Sequence, residues 1–344
     1  MTRRNAVRGG LLLLLVVMAA APFLDVEIPG LFARSLARPG TLQLLALCLT
    51  FGAVALSYDL LFGVTGLLSF GHALWFAMGV YLTDIALTRW HWGLGAAVLF
   101  ALAAALVAAL ALGAVALRVT GIAFAMVTLA FAQAGSILVH KNPGGITGGE
   151  EGLGLDVAHL PYLLIGVINT RNLYWIALAY LLLTAALSWW LVGSRPGRVW
   201  QAVRENERRV EVMGLRPYTF KLFVFAVSAV LAALGGAVYM LLVGGASPGV
   251  TTGSLSLALL VMVVLGGAGT LWGAVVGGAL YQYLDQRLVA LASSDAVTGL
   301  PGWLRAPLGE PLFILGALFI ALVLFFPGGI AGAVTRVRLP RRAA

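Results

Sequence analysis

The sequence has few of the groups on which soluble enzymes depend. Charged residues make up only 10% of its 344 residues, and it has one cysteine, Cys48, and two lysines, Lys141 and Lys221. A single cysteine excludes a disulfide framework or a thiolate metal site within one chain. Neither lysine lies in a G-x-x-x-x-G-K-[ST] loop, which excludes ATP hydrolysis by that phosphate-binding motif. No histidine cluster, carboxylate pair or Ser/His/Asp set stands out, which argues against a hydrolase.

Hydrophobic residues, by contrast, make up 61% of the chain, far more than one soluble core can bury. The sequence therefore predicts an all-α, polytopic membrane helix bundle over residues 1–344. A bilayer core about 30 Å thick needs roughly 20 apolar residues per helix. Because the count includes a first helix that resembles a signal peptide, we expect that helix to be retained. This predicts about ten transmembrane helices, near residues 10–25, 42–62, 66–88, 94–117, 119–139, 173–193, 221–243, 254–271, 272–290 and 310–327.

The basic residues predict the orientation of the helices. With both termini in the cytoplasm, the cytoplasmic side carries fifteen Lys and Arg residues and the opposite side carries seven. These residues flank apolar spans, so the net charge of +9 reflects membrane orientation and we expect no nucleic-acid partner. The outward side has two longer connections, 140–172 and 291–309, which we expect to form a docking surface or a lid.

One segment between two spans is strongly charged. Residues 194–221 contain seven basic and three acidic side chains. Their pattern predicts an amphipathic helix from Pro196 to Met213, with Glu205 and Arg209 spaced as an (i, i+4) ion pair. We expect its apolar side chains, with the loop backbone, to contribute more to partner binding than exposed ion pairs do. The apolar face consists of Val199, Val203, Val210 and Met213.

Two glycine-rich stretches have two interpretations. Gly269, Gly273 and Gly277 recur every fourth residue, which favours close helix packing. Alternatively, Gly266 to Gly269 interrupts the helix and leaves backbone groups free inside the protein, and a similar break is possible from Gly63 to His72. The two stretches are also weakly similar to each other, which is consistent with an internal repeat of two inverted five-helix halves.

Few polar side chains fall within the predicted spans. Asp59, Asp84 and Asp285 lie near span ends, where we expect them to be solvated carboxylates and not ion carriers. His72 follows Ser69 in the first turns of its span. We expect His72 to be a packing histidine and not a ligand or a proton carrier.

Five runs together resemble the membrane subunits of branched-chain amino acid ABC importers, over roughly residues 41–330. The resemblance implies a permease subunit of the bacterial inner membrane, without an ATP-binding motif of its own. It also implies transport of branched-chain or related hydrophobic amino acids, with urea, short amides and aromatic acids as alternatives. The runs are TGLLSFGHALWFAMGVY (65–81), RVTGIAFAMVTLAFAQ (118–133), ITGGEEGLGL (146–155), GRVWQAVRENERRVEVMGL (197–215) and LLVMVVLGGAGTLWGAVVGG (259–278).

The resemblance also implies partners and site residues. The partners are two cytoplasmic ATPases that hydrolyse ATP, a second related permease and an extracytoplasmic substrate-binding protein; no cofactor or metal is bound by this chain. The segment around Gly197 to Gly214 corresponds to the family's coupling helix, with Val199, Val203, Arg204, Glu205, Asn206, Arg209, Met213 and Gly214 as coupling residues. The candidate path residues are Ser69, Gly71, His72, Gln133, Gly266, Gly267 and Gly269.

This sequence departs from the family pattern at two places. Asp59 occupies a position that is usually Asn, and Glu150 and Glu151 lie in a loop that varies between members. Two other classes of function remain open. An ion-coupled carrier would use the charged segment only as a membrane-surface helix. A membrane transferase would use an outer-loop site made of His140, Glu150, Glu151 and His159.

Overall fold

The computed structural model describes residues 18–23, 35–166, 169–292, 311–325 and 328–337. Within these ranges the chain is almost entirely helical, which confirms the predicted all-α class. Two short strands are β1 (Leu153–Gly154) and β2 (Gly245–Ala246). The helices are α1 (Pro39–Asp59), continued by a π-helical turn (Leu60–Val64), α2 (His72–Thr88), α3 (Leu94–Ala116), α4 (Ile122–Lys141), α5 (Thr170–Gly193), α6 (Arg195–Val212), α7 (Pro217–Val243), α8 (Gly253–Gly266), α9 (Leu271–Ala292), α10 (Pro311–Phe325) and α11 (Gly329–Val337).

Five described helices are long and apolar enough to cross a bilayer. They are α1 with its π-helical turn, α3, α4, α5 and α7, and each coincides with a predicted span. Three other predicted spans are shorter than the roughly 20 residues that a crossing needs: α2 has 17 residues, α8 has 14 and α10 has 15. Most of the predicted first span and the connection from 293 to 310 lie outside the described residues. The count of ten therefore stays a prediction.

The core of the bundle lies around α1 and α7. Residues of their apolar windows are 83% and 67% buried, against 22% for α3 and 33% for α4. Aromatic rings of α1, α2 and α7 meet at the centre, where Phe51, Phe76 and Tyr239 have centroids 5.3 to 5.8 Å apart. α3 and α4 thus lie at the perimeter, where their apolar faces suit contact with lipid or with another chain.

Small residues allow the central helices to touch through their backbones. A Cβ on Gly79 of α2 would overlap the carbonyl oxygen of Ala233 in α7. Gly236 of α7 lies in the same way against the carbonyl oxygen of Phe76 in α2. α1 and α9 meet through a similar pair of glycines. Such contacts give close van der Waals packing where lipid removes most of the hydrophobic driving force between helices.

Three connections between helices lie together on one side of the bundle. β1 in the 142–169 connection pairs antiparallel with β2 in the 244–252 connection, with Leu153 opposite Ala246. The Arg89 guanidinium, in the 89–93 connection, donates to the carbonyl oxygen of Gly145 at 2.8 Å. We call this the loop side. The opposite ends of the helices form the α6 side, which carries the charged segment.

Candidate functional site: a junction of α6 with two helix breaks

α6 is anchored to the bundle through its apolar face. The Ser194 hydroxyl caps its first turn, as expected for a helix N-terminus. Trp200 is fully buried, and its Nε1–H donates to the carbonyl oxygen of Phe220 at 2.9 Å. Val203 and Val210 are also buried, at 6% and 2% exposure. Because these side chains pack against protein, α6 does not depend on lipid to cover its apolar face.

The predicted continuous helix is interrupted at Asn206. This residue has φ −162° and ψ 99°, outside the helical region, and its Oδ1 accepts the N–H of Arg209 at 3.0 Å. Asn206 therefore acts as the N-cap of a second helical segment, a role in which Asn is favoured over most residues. The predicted ion pair between Glu205 and Arg209 is not formed among the described residues, and the kink at Asn206 lies between the two residues.

An ion pair attaches the second segment of α6 to α7. The Lys221 ammonium donates to Glu207 Oε1 at 2.5 Å. The Lys221 side chain is only 6% exposed, whereas that of Glu207 is 36% exposed. A buried ammonium without a partner is costly, so this pairing favours one position of α6 relative to α7.

The exposed apolar side chains of this region lie at the end of α6. Val212, Met213 and Leu215 are 83%, 74% and 41% exposed, and we call them the α6 tip. The expectation that Val203 and Val210 bind a partner is wrong, because the chain's own bundle covers them. Val199 is partly buried. The other coupling candidates are exposed: Arg204, Glu205, Asn206, Arg209, Met213 and Gly214.

The first predicted break is present between α1 and α2. After its π-helical turn the chain is non-helical over residues 65–71 and resumes as α2. Buried polar contacts hold the returning segment: the Tyr58 hydroxyl donates to the carbonyl oxygen of Ser69 at 2.9 Å, and His72 Nε2 lies 3.0 Å from the Ser57 hydroxyl. His72 is thus fully buried and packed inside the protein, as the sequence predicted.

Side chains from two other helices satisfy the backbone of this break. The N–H of Ala73 donates to the Ser256 hydroxyl of α8 at 3.0 Å, and the N–H of Phe70 donates to the Thr128 hydroxyl of α4 at 3.1 Å. A Cβ on Gly71 would lie 2.7 Å from the Thr128 carbonyl oxygen, so only glycine fits there. Non-helical backbone at membrane depth needs such partners, because lipid offers none.

The second predicted break is also present, between α8 and α9. Residues 267–270 are non-helical, and Gly267 and Gly269 have φ of 109° and 83°, which favour glycine. Gly273 and Gly277 lie against the backbone of α8, where a Cβ would overlap main-chain atoms. Both interpretations of the glycine repeat therefore hold: Gly269 belongs to the break, and the next two glycines allow α8 and α9 to pack closely.

The two breaks and α6 meet at four residues, which we call the break junction: Asp59, Gly63, Arg204 and Gly269. Asp59 is fully buried, and its Oδ1 accepts the N–H of Gly269 at 2.7 Å. Arg204 of α6 donates from its guanidinium to the carbonyl oxygen of Gly63. A Cβ on Gly63 would overlap both Asp59 Oδ1 and the Gly269 nitrogen. The junction therefore links α6, the end of α1 and the α8–α9 turn through two charge-assisted hydrogen bonds.

Two of the three aspartates differ from their predicted state. Asp59 and Asp84 are fully buried, so the expectation of solvated carboxylates at the bilayer interface is wrong for both; Asp285 is partly exposed. Asp59 is enclosed because Gly63 and the backbone of Gly269 pack against its carboxylate. Asp84 is enclosed because α2 packs against β2 on the loop side.

The candidate path residues are only partly brought together. Ser69, Gly71 and His72 lie at the buried first break. Gly269 contacts Gly63 in the π-helical turn that precedes this break. Gly266 and Gly267 are buried at the end of α8. Gln133 instead lies on the exposed face of α4 and does not join this group within the chain.

The four residues of the alternative transferase site are not joined. His140 Nδ1 lies 2.8 Å from the carbonyl oxygen of Ser136 in its own helix. His159 faces Asp156. Across the described residues, no hydrogen bond or ion pair connects His140, His159, Glu150 or Glu151 to one another. This part of the loop side therefore offers no assembled site for that chemistry.

Sequence reasoning missed Trp200 and the contact between Gly63 and Gly269. Trp200 stands three residues before Val203, on the apolar arc of a charged segment, and this spacing was a signal of an anchoring residue. Gly63 was expected to begin the first break, but its close approach to Gly269, about two hundred residues away, had no signal in the sequence. The ion pair between Lys221 and Glu207 was missed as well.

Comparison with known proteins identifies the family to which the sequence is similar. A family model described as branched-chain amino acid transport system, permease component matches residues 40–326. The high-affinity branched-chain amino acid transport system permease protein LivM of Escherichia coli K12 is 29% identical over 269 residues, 70% of this chain and 62% of its own length. LivM of Salmonella typhimurium LT2 is 28% identical over 298 residues, 78% of this chain and 66% of its own length.

Relatives with a different named solute are also present. The autoinducer 2 import system permease protein LsrC of Yersinia pseudotuberculosis is 30% identical over 254 residues, 71% of this chain and 65% of its own length. The chain thus spans less than two thirds of the length of these curated relatives. No solved structure matches it. On the extent of the family match, the chain belongs to the family of permease components of branched-chain amino acid transport systems.

Proposed function

We propose that the chain forms the translocation path of an ATP-driven importer for branched-chain or related hydrophobic amino acids. The observation that carries this proposal is the break junction, where a charged helix outside the core is bonded to two interrupted helices inside it. The names of the two LivM relatives support the amino-acid substrate, whereas the LsrC name shows that this family also imports other solutes.

In this proposal α6 is a lever moved by an ATPase. α6 is fixed to the bundle in two ways: Trp200 of its apolar face is buried there, and Glu207 forms an ion pair with Lys221 of α7. The α6 tip remains exposed beside charged side chains, which suits a groove on a soluble partner and not lipid. A push on α6 would displace Arg204 and, with it, the Gly63 carbonyl at the end of α1.

The remaining partners follow from the predicted orientation. We infer that the α6 side faces the cytoplasm, where two ATPase subunits bind, and that both termini are cytoplasmic. The loop side would then receive an extracytoplasmic binding protein, and the exposed apolar faces of α3 and α4 would contact lipid or a second, related permease. Specificity would reside mainly in the binding protein, because few charged side chains lie within the described spans.

An ion-coupled carrier is a second candidate, and one observation favours it. Asp84 is fully buried, and among the described residues no ion pair neutralises its carboxylate. Intramembrane carboxylates of this kind mark proton and ion pathways in carriers. Against this candidate, the apolar face of α6 is buried in protein, so α6 is not a helix lying on the membrane surface.

Transport by reconstituted protein tests the proposal. The chain is co-purified with its ATPases and second permease, placed in liposomes, and assayed for leucine uptake with the binding protein outside and ATP inside. We expect uptake that requires ATP and binding protein and is insensitive to a protonophore. Uptake by the chain alone that collapses with the protonophore would establish the ion-coupled carrier instead.

Two matched variants test the lever. Arg204→Ala removes the hydrogen bond to Gly63, whereas Arg208→Ala removes an exposed arginine of the same helix for which the structure shows no hydrogen bond or ion pair. We expect Arg204→Ala to lower leucine uptake about tenfold while ATP hydrolysis continues, since a hydrogen bond to a charged group contributes about 1.5 kcal/mol or more. Arg208→Ala should retain both activities. Equal coupling in the two variants would contradict the lever.

A further inference from the structure

Three side chains from two separate connections converge on the loop side. His91 lies in the 89–93 connection, and Asp156 and His159 lie in the 142–169 connection. Asp156 Oδ2 is 4.0 Å from His91 Nδ1 and 3.8 Å from His159 Nδ1. One candidate ligand atom from each residue lies within 4.8 Å of the other two. None of these residues has a role in the proposed function.

The Asp156 carboxylate is held in an orientation that suits ligation. Its Oδ1 accepts the N–H of Ala158 at 2.9 Å, so it caps the short 3₁₀ turn that carries His159. This bond leaves Oδ2 turned toward both imidazoles. The two histidine rings are 5.0 Å apart and inclined by 32°, which brings their Nδ1 atoms near the same carboxylate oxygen. A hydrogen bond that orients a ligand carboxylate is a usual feature of metal sites.

The backbone around His91 is also held in place. His91 has φ 54°, one of two positive values among the described residues other than glycine. A residue with a Cβ adopts this conformation at a cost of about 1 kcal/mol, so the surroundings must enforce it. Its two sequence neighbours, Trp90 and Trp92, form an aromatic cluster with Phe100, with ring centroids 5.2 to 5.6 Å apart.

We propose that His91, Asp156 and His159 bind a zinc ion, which joins the two connections. Two imidazoles and one carboxylate form a known zinc ligand set, with water in the fourth position. Metal–ligand bonds of about 2.0–2.2 Å in a tetrahedral site place donor atoms roughly 3.3–3.6 Å apart. The observed 3.8 and 4.0 Å need only a small closure. The side chains are 36% to 61% exposed and have room to rotate.

The simpler interpretation is a pair of exposed histidine–carboxylate contacts. Such contacts contribute at most about 1 kcal/mol and require no ion. They do not account for the convergence of three ligand atoms, from two separate connections, within 4.8 Å of one another. The two interpretations differ in a measurable property, because a surface ion pair has no reason to select zinc over magnesium.

A zinc titration of the full-length chain distinguishes them. The protein is purified in detergent without a polyhistidine tag and titrated with Zn²⁺ against a fluorescent chelator. We expect one zinc ion per chain, and a loss of affinity of roughly tenfold or more in His91→Gln, Asp156→Asn and His159→Gln. His140→Gln is the matched control, because His140 lies at the same side but bonds to its own helix. It should bind zinc like the unaltered chain.

X-ray absorption at the zinc edge identifies the atoms that coordinate zinc in the unaltered protein, so this measurement needs no variant. Two imidazoles in the coordination shell of the unaltered protein would support the site, even if a substitution prevented folding. Three results overturn the proposal: no saturable zinc binding, coordination by oxygen alone, or unchanged affinity in the double variant His91→Gln/His159→Gln. Since the transport assay plays no part here, failure of this site leaves the proposed function untouched.

Discussion

The substitution Gly63→Ala tests the break junction directly. The added Cβ would overlap Asp59 Oδ1 and the Gly269 nitrogen, the two atoms that are bonded at 2.7 Å. Gly63 is not among the glycines with positive φ, so alanine is compatible with the backbone and the effect would come from the overlap alone. We therefore expect the hydrogen bond between α1 and the α8–α9 turn to open.

The size of the effect follows from the kind of bond that is lost. A hydrogen bond to a charged group contributes about 1.5–3 kcal/mol, and a buried carboxylate that loses its partner adds a desolvation cost. We expect Gly63→Ala to lower the free energy of unfolding by about 2 kcal/mol or more. In the complete importer, the same variant should keep ATP hydrolysis and lose most uptake, because α8 and α9 are released from α1.

Unfolding is followed by thermal scans in detergent, with Gly95→Ala as the control. Gly95 lies in the first turn of α3, and a Cβ there would meet no atom within 4 Å. Asp59→Asn is a second comparison: its amide oxygen can still accept from Gly269, so stability should be largely retained. If Gly63→Ala unfolds at the same temperature as Gly95→Ala, the break junction does not stabilise the bundle as described.

Two further predictions concern α6. Val212→Asp combined with Met213→Asp should abolish co-purification of the ATPases, because charge at the α6 tip opposes burial in a groove. Leu163→Asp, at an exposed position of the loop side, should leave co-purification unchanged, and equal binding in both variants would exclude the tip. Glu207→Ala should destabilise the chain by about 2 kcal/mol, since it leaves the Lys221 ammonium buried and unpaired. Adding Lys221→Met should recover most of that loss in a double-mutant cycle, and strictly additive effects would contradict the pairing.

The sequence predicts local features of the fold well. The lengths of apolar runs identify the helices, and glycine spacing identifies both breaks, because each signal is contained in a window of about twenty residues. The kink at Asn206 was also accessible in principle. Asn within a helix favours a cap. The apolar residues before and after Asn206 fit the pattern of one continuous helix, so the pattern alone does not indicate the kink.

The sequence could not predict which part of the chain, or which partner, covers a given apolar or charged surface. An apolar face on α6 shows that something buries it, but the pattern is the same whether the cover is a partner, lipid or the chain itself. The structure shows that Val203 and Val210 are buried within the chain, and that Asp59 is enclosed by Gly63 and by the backbone of Gly269 from the α8–α9 turn. The convergence of His91 with Asp156 likewise depends on the contact between two connections.

The break junction explains how a helix outside the membrane core could shift the proposed transport cycle. In an intact transmembrane helix, the backbone N–H and C=O groups bond to one another within the helix, and replacing one of these bonds by a bond to a side chain is costly. At the two breaks, Arg204 and Asp59 supply the partners instead. Two hydrogen bonds to charged groups together contribute about 3 kcal/mol or somewhat more, toward the low end of the usual range because Arg204 is exposed. A difference of about 5.5 kcal/mol moves a two-state equilibrium from 1:99 to 99:1. Making or breaking these two bonds therefore supplies a large part of the free energy needed to invert the populations of two bundle conformations.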